Sequence, residues 1–242
     1  MGAGNLSRVN SLPLNEKELP EKIDHTILKP EDGYDGIIRG IEEVKKYGFR
    51  SLVLPLSAVR FASEISNIPL TSVISFPMGN DPLEIKKVQL EKAIDYGARE
   101  VDVVINLMDL LSNKIDDVSK EIRELTELAH QLGAKIKFII ETGYLSKNSI
   151  IKISKIIEEN KGDFIKTSTG FGPRGVTIDD ILIIKNSVSK NQKIKASGGI
   201  KTAIQAIMFL YVGADILGTS SSVKIVNEFN DAKRYFNNLL NI

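Results

Sequence analysis

The chain has no cysteine and no tryptophan, and only two histidines among its 242 residues. The missing cysteines remove disulfides, thiolate nucleophiles and Cys-ligated metals together. His25 and His130 lie too far apart in sequence for a local metal motif. Neither sign of charge prevails: 32 Lys plus Arg face 31 Asp plus Glu, a net charge of +1. That balance gives no global attraction to nucleic acid or to an anionic membrane, although a local basic pocket stays open. No apolar run approaches the roughly 18 residues of a membrane span. The first seven residues, Met1 to Ser7, lack the charged and apolar regions of a signal peptide. Leu6 occupies the position where a myristoylation motif needs Ser or Thr, and Asn5-Leu6-Ser7 is a glycosylation sequon in form only. The expectation is a cytoplasmic protein whose partners include neither nucleic acid nor membrane.

Hydrophobic residues make up 42% of the chain and charged residues 26%, the composition of a globular protein. Residues 1–19 read as a polar arm or a short helix ending near Pro20. Beyond them, short Ile/Val-rich runs alternate with amphipathic stretches. Strands are expected at 22–24, 51–54, 72–75, 100–105, 137–141, 164–166, 193–196 and 216–218. Between them, helix faces are expected from Ile37, Ile41, Val44 and Lys45; Ile85, Val88, Ala93 and Tyr96; Val118, Ile122, Leu125 and Leu128; and Ile150, Ile153, Ile156 and Ile157. Gly48, Gly97, Gly133, Gly162 and Gly213 each follow a helical run, the usual place of a left-handed cap. Thr177 before Ile178-Asp179-Asp180 reads as an N-cap. Eight strand–helix units in residues 20–242 predict an α/β single-domain (β/α)₈ barrel, with an open doubly wound sheet as the alternative.

In such a barrel the C-terminal strand ends form the active-site face. Asp24, Asp102, Glu141, Lys166 and Lys195 fall in or at the ends of expected strands. A half-buried lysine beside a second ammonium is disfavoured in its charged form. Lowering its pKa from 10.4 to roughly 7.5 takes about 4 kcal/mol. The free amine then attacks a carbonyl to form a Schiff base, and an adjacent carboxylate moves protons. A strand-end lysine is otherwise an ion-pair partner; two on neighbouring strands, with Asp24 and Asp102 available, favour catalysis. Glu141 reads as a buried ion-pair partner or a substrate contact. Gly170, Gly198-Gly199 and Gly218-Thr219-Ser220-Ser221 place backbone N–H groups and hydroxyls where helices begin, which suits a phosphate or simply tight turns. Gly170-Phe-Gly172-Pro-Arg-Gly175 matches a dinucleotide fingerprint in form, but Pro173 interrupts it and the next strand offers Lys195 rather than an acid. His130, late in a helix, and Asp163, before its strand, read as structural.

The stretches Ile23-Asp-His-Thr-Ile-Leu-Lys-Pro30, Glu100-Val-Asp-Val-Val-Ile-Asn106, Phe138-Ile-Ile-Glu-Thr142, Phe164-Ile-Lys-Thr-Ser-Thr-Gly170, Lys195-Ala-Ser-Gly-Gly-Ile200 and Gly218-Thr-Ser-Ser-Ser222 resemble the deoxyribose-phosphate aldolases, in order, over about residues 21–228. The resemblance implies a class I aldolase without metal or other cofactor, acting on a sugar phosphate and an aldehyde. The reaction would cleave 2-deoxy-D-ribose 5-phosphate reversibly to D-glyceraldehyde 3-phosphate and acetaldehyde. It implies Lys166 as the Schiff-base lysine, Lys195 as the lysine that tunes it, Asp102 for proton transfer and Asp24 holding Lys195. It implies Gly170, Gly198, Gly199, Ser220 and Ser221 around the phosphate, and a homodimer or homotetramer. Two positions depart from many bacterial members: Leu52 stands where they have Cys, and Phe171 where they have Lys. The rival readings are another Schiff-base sugar-phosphate aldolase and a non-catalytic phosphosugar-binding barrel.

Overall fold

The computed structural model describes residues 15–240. Within them, eight parallel strands close on themselves in sequence order, β1 pairing with both β2 and β8. The strands are β1 (Ile23–Thr26), β2 (Ser51–Pro55), β3 (Leu70–Ile74), β4 (Glu100–Val104), β5 (Lys135–Ile139), β6 (Phe164–Lys166), β7 (Lys193–Ser197) and β8 (Ile216–Thr219). The helices are α1 (Gly33–Tyr47), α2 (Leu56–Ile65), α3 (Leu83–Asp95), α4 (Leu107–Leu111), α5 (Ile115–Gln131), α6 (Lys147–Glu159), α7 (Ile178–Ser187), α8 (Ala203–Val212) and α9 (Ser222–Leu240). This is the expected (β/α)₈ barrel, and the doubly wound alternative falls with the β1–β8 pairing. No helix among the described residues is long and apolar enough to cross a membrane. The arm expected at 1–19 lies mostly outside the described residues; from Asn15 the chain turns into a short 3₁₀ helix at Pro20–Lys22 and buries Leu19.

Strands walled by helices outside and by side chains inside are buried on both faces, which explains their continuous Ile/Val runs. Ile136, Phe138 and Ile139 of β5 are fully buried, as are Val101, Val103 and Val104 of β4. Thr177 caps α7 as expected: its side chain accepts from Asp180 N while the Asp180 carboxylate accepts from the Thr177 amide.

Four expectations need correction. The strand limits shift: Asp24 lies inside β1 with His25 and Thr26 beyond it, β7 continues past Lys195 to Ser197, and β5 runs from Lys135 to Ile139. Glu141 therefore sits outside β5, in a left-handed backbone conformation (φ 48°). Helix α3 is rotated from the expected face, which keeps Ala93 inward but turns the first two residues of that face out. Ile85 and Val88 are 47% and 51% exposed, while Lys86, Leu90 and Ala93 are buried. Lys86 can face inward because its Nζ donates to Val104 O (2.9 Å) and Glu121 Oε2 (2.9 Å). Lys45 at the end of the α1 stripe is exposed, although Ile37, Ile41 and Val44 are buried. Gly162 is not the left-handed cap of α6; Lys161 holds that conformation (φ 61°), and Gly162 instead leaves room for Phe138.

Candidate active site

Side chains that point inward from neighbouring strands meet at the barrel axis, and here they are charged. Register places Asp102 of β4 beside Lys137 of β5, and Lys166 of β6 beside Lys195 of β7. Asp24, Asp102, Lys137 and Lys195 are fully buried, and Lys166 is nearly so. Lys195 reaches the axis because β8 carries Gly218 beside it; a Cβ there would come within 2.9 Å of Lys195 Cε. Thr167 and Ser197 lock the two lysine strands together: Thr167 Oγ1 donates to Ser197 O (3.0 Å) and accepts from Ser197 N (3.0 Å).

One carboxylate oxygen joins the two lysines. Asp102 Oδ2 accepts from Lys166 Nζ (2.8 Å) and from Lys195 Nζ (2.7 Å). Lys195 also donates to Asp24 Oδ2 (2.5 Å). Asp102 Oδ1 is held by Lys137 Nζ (2.9 Å), which also pairs with Glu100 Oε2 (2.6 Å). Arg50 closes the bottom of the network on Asp24 Oδ1 (2.6 Å) and on both oxygens of Glu100. The structure thus brings Lys166, Lys195, Asp102 and Asp24 together. It adds Lys137, Glu100 and Arg50, to which the sequence reading gave no role. A signal was available for Lys137: a lysine flanked by Ile136 and Phe138 in a doubly buried strand has no solvent to reach.

Three carboxylates in this network face four cations. Full ionisation leaves one positive charge in excess, inside a barrel where unpaired charge is costly. That cost falls on Lys166. Burial pushes its ammonium down most, the attraction of Asp102 opposes this, and repulsion from Lys195 and Lys137 adds to the depression; its pKa settles at about 8. At pH 7 about a tenth of such a lysine is the free amine. Burial also works against the charged forms of Asp24 and Asp102, but the surrounding cations outweigh it. Asp24 is held below the usual carboxylate range by Lys195, Lys137 and Arg50, and Asp102 well below it by Lys137, Lys166 and Lys195.

Above Lys166 opens a cleft of about 420 Å³. Gly170, Gly198, Gly199, Gly218 and Ser220 line it, along with Lys29, Arg174 and Lys201. Gly170, Gly198 and Gly199 have φ of 90°, 90° and 78°, where a side chain would be strained. The cleft is suited to an anion: it offers glycine loops, a hydroxyl and basic side chains, with the α8 N-terminus close behind Lys201. Ser221 departs from the rest. It does not line the cleft; its amide donates to Thr219 Oγ1 (2.9 Å), and it borders an outer cavity with His25 and Glu43, which Ser220 also reaches. The formal dinucleotide fingerprint becomes a cleft wall, in which Arg174 is tied to Asp180 (2.6 and 3.0 Å) and to Thr142 O (3.1 Å).

Glu141 is neither ion-paired nor in this cleft. Buried beyond β5, it accepts from Thr169 N (2.9 Å) and Thr169 Oγ1, and so braces the loop that follows Lys166. A Cβ on Gly172 would fall 2.6 Å from its carboxyl carbon, so the loop closes over it only as glycine. His25 stacks on Phe49, contacts Ser222 Oγ through Nδ1 (2.9 Å) and pairs with Glu43 (2.8 Å). His130 meets Asp163 on the outside of the barrel (3.0 Å).

Comparison with known proteins converges on one family. A family model described as DeoC/LacD family aldolase matches residues 22–212. A deoxyribose-phosphate aldolase of Thermococcus gammatolerans is 38% identical over 221 residues, covering 89% of this chain and 98% of its own. One from Dictyoglomus turgidum is 40% identical over 217 residues, covering 88% and 98%. Among solved structures, an aldolase named QR15 superposes with a TM-score of 0.84 at 36% identity, covering 90% of this chain and 98% of its own. The deoxyribose-phosphate aldolase of Aeropyrum pernix, described as tetrameric, superposes with a TM-score of 0.83 at 31% identity, covering 89% and 92%. With its lysine pair on a closed barrel and these relatives over nearly nine-tenths of its length, the chain belongs to the DeoC/LacD aldolase family.

Proposed function

We propose that this protein is a deoxyribose-phosphate aldolase, a class I lyase that cleaves 2-deoxy-D-ribose 5-phosphate reversibly to D-glyceraldehyde 3-phosphate and acetaldehyde. The observation that carries the reading is the shared oxygen: two buried lysines on one Asp102 Oδ2, with the pKa of Lys166 lowered to about 8 at the foot of an anion-suited cleft. A non-catalytic phosphosugar-binding barrel has no use for a depressed lysine, because an amine that binds rather than attacks is better kept charged.

In the proposed mechanism the neutral Lys166 amine adds to the substrate aldehyde carbon, and loss of water gives the iminium. A base removes the proton of the C3 hydroxyl. The C2–C3 bond then breaks: its electron pair passes to C2 as the enamine forms, and C3 becomes the aldehyde of glyceraldehyde 3-phosphate. Protonation at C2 and hydrolysis release acetaldehyde and the amine. Asp102 Oδ2, in contact with both lysines, is the natural path for these protons, with Lys195 as the paired donor and Asp24 holding Lys195 in place. The phosphate lies against Gly170, Gly198, Gly199 and Ser220; Ser221 serves by setting the turn into α9 rather than by touching the ligand. No step calls for a metal or another cofactor. The other partners of this reading are further copies of the chain, as a dimer or tetramer, in the cytoplasm.

Borohydride trapping tests the central role. Incubation with acetaldehyde and borohydride is expected to leave one ethyl group on Lys166, located by peptide mass mapping. An adduct on another lysine overturns the assignment.

A further inference from the structure

The turn that carries Ser220 into the cleft is held from outside the barrel. It runs from Thr219, the last residue of β8, to Ser222, the first of α9. Ser220 is exposed at the cleft, so its neighbours set its place. Thr219 Oγ1 donates to Ile200 O (2.6 Å), just past Gly198 and Gly199, and accepts from Ser221 N (2.9 Å). Ser222 is fully buried, and its Oγ donates back to Thr219 O (3.0 Å). These bonds tie the loop after β8 to the loop after β7.

A residue of β1 completes the chain of bonds. Successive side chains of a strand point to opposite faces. Asp24 turns into the barrel and holds Lys195, while His25 turns outward, between α1 and the start of α9. Register sets His25 beside Thr219. The His25 ring is almost fully buried and stacks on Phe49 at 5.2 Å. Its Nδ1 lies 2.9 Å from Ser222 Oγ. That hydroxyl has one hydrogen and spends it on Thr219 O, so Nδ1 is the donor. Nε2 makes no hydrogen bond in line with the ring, although Glu43 Oε2 approaches it to 2.8 Å. Burial pushes the imidazole below its ordinary value against the opposing pull of Glu43, so at pH 7 the ring is neutral and its one proton sits on Nδ1. Neither His25 nor Ser222 lines the cleft, so whatever they do for a ligand passes through Thr219 and Ser220.

We propose that His25 is a positioning residue for phosphate recognition: through Nδ1–H, Ser222 Oγ and Thr219 it fixes the turn that presents Ser220 to the ligand. The proposal rests on the aldolase reading above. Supporting hydrogen bonds of this kind decide where a binding group stands. Adjacent residues of one strand then serve the two ends of the substrate. Asp24 serves the amine chemistry through Lys195, and His25 serves the phosphate through Ser222.

The experiment compares His25→Phe, His25→Asn, Ser222→Ala and the double variant His25→Phe with Ser222→Ala. Phenylalanine keeps a ring on Phe49 and deletes the donor; asparagine loses the ring and keeps an N–H where Nδ1 stood. Cleavage of 2-deoxyribose 5-phosphate gives kcat and KM, and borohydride trapping of acetaldehyde on Lys166 reads the amine chemistry without a phosphate. His25→Phe and Ser222→Ala should each raise KM roughly three- to tenfold, the worth of one hydrogen bond, with kcat and the trapping rate unchanged. The double variant should lose no more than either single one, because both break the same chain. His25→Asn should stay near the wild-type KM. Thermal melting shows which variants are folded, and Ser222→Ala and His25→Asn carry the test if His25→Phe is not. An unchanged KM in Ser222→Ala, additive losses in the double variant, or a larger loss in His25→Asn than in His25→Phe reduces His25 to packing and overturns the proposal with the aldolase intact. Absence of cleavage by the wild type overturns the aldolase reading itself.

Discussion

Lys137 and Lys166 lie on neighbouring strands and hold opposite oxygens of the same carboxylate, Asp102, at 2.9 and 2.8 Å. Both are buried, yet they titrate in opposite directions. Burial depresses each, but around Lys137 three carboxylates, Asp102, Asp24 and Glu100, outweigh it and raise the pKa above the ordinary value. Lys166 has Asp102 alone and shares it with Lys195, so burial and ammonium repulsion prevail and the pKa falls to about 8. Depth in the barrel therefore does not by itself free an amine. The number of carboxylates per ammonium does, and the network is one carboxylate short at the position that opens on the cleft.

Stability against pH separates the two as well. Lys137, raised by folding, stabilises the barrel fully below its unfolded value near 10.4, and loses that contribution as pH rises through its folded value. Lys166, lowered by folding, binds fewer protons folded than unfolded between about pH 8 and 10.4, so its contribution makes the fold more stable as pH rises through that window.

The largest expected effect comes from deleting Lys166, the nucleophile of the proposed mechanism. Lys166→Ala and Lys166→Arg should both abolish turnover, because arginine keeps the charge and cannot attack. Steady-state assays at protein concentrations high enough to detect a 10⁴-fold loss will decide this. Next comes the neighbour. Lys195→Leu removes an ammonium from Asp102, so the pKa of Lys166 should rise and activity at pH 7 fall at least a hundredfold, with partial recovery at high pH. A pH–rate profile without an alkaline shift would reduce Lys195 to a structural ion pair.

Lys137→Met sharpens the contrast from the other side. It takes one cation partner from each of Asp102, Asp24 and Glu100, so the expected cost is about 3–5 kcal/mol of stability in a denaturant titration. It should also raise the pKa of Lys166, because Lys137 repels it. The smallest effect separates two adjacent serines. Ser220→Asp puts an anion in the cleft and should raise KM for the phosphorylated substrate by tenfold or more, whereas Ser221→Asp, outside it, should shift KM far less. Equal shifts would place the phosphate elsewhere.

Much of this was legible in the chain. Doubly buried strands announce themselves as Ile/Val runs, so the barrel and the positions of Lys166, Lys195 and Asp102 followed from local pattern. What stayed hidden depends on reach across the fold. Lys86 faces inward because Val104 O and Glu121, 35 residues away, meet it, so the periodicity of α3 pointed to Ile85 and Val88 instead. For Lys137 the buried strand signalled that it had to be paired but not with what, and Arg50 carried no such signal, because a charge is placed by its partners, and Asp24 and Glu100 come from other strands. Ser221 looks equivalent to Ser220 by position; of the two, Ser220 lines the cleft, while the Ser221 amide is taken by Thr219 Oγ1.

Titration of the two lysines in one experiment tests the central claim most directly. ¹⁵N-detected NMR of the lysine Nζ groups, assigned with Lys137→Met and Lys166→Ala, follows both through pH 6 to 11. The account predicts that Lys166 loses its proton with a midpoint near 8 while Lys137 stays charged across the range. A Lys166 midpoint at or above the ordinary 10.5, or a Lys137 that titrates before it, would contradict the account.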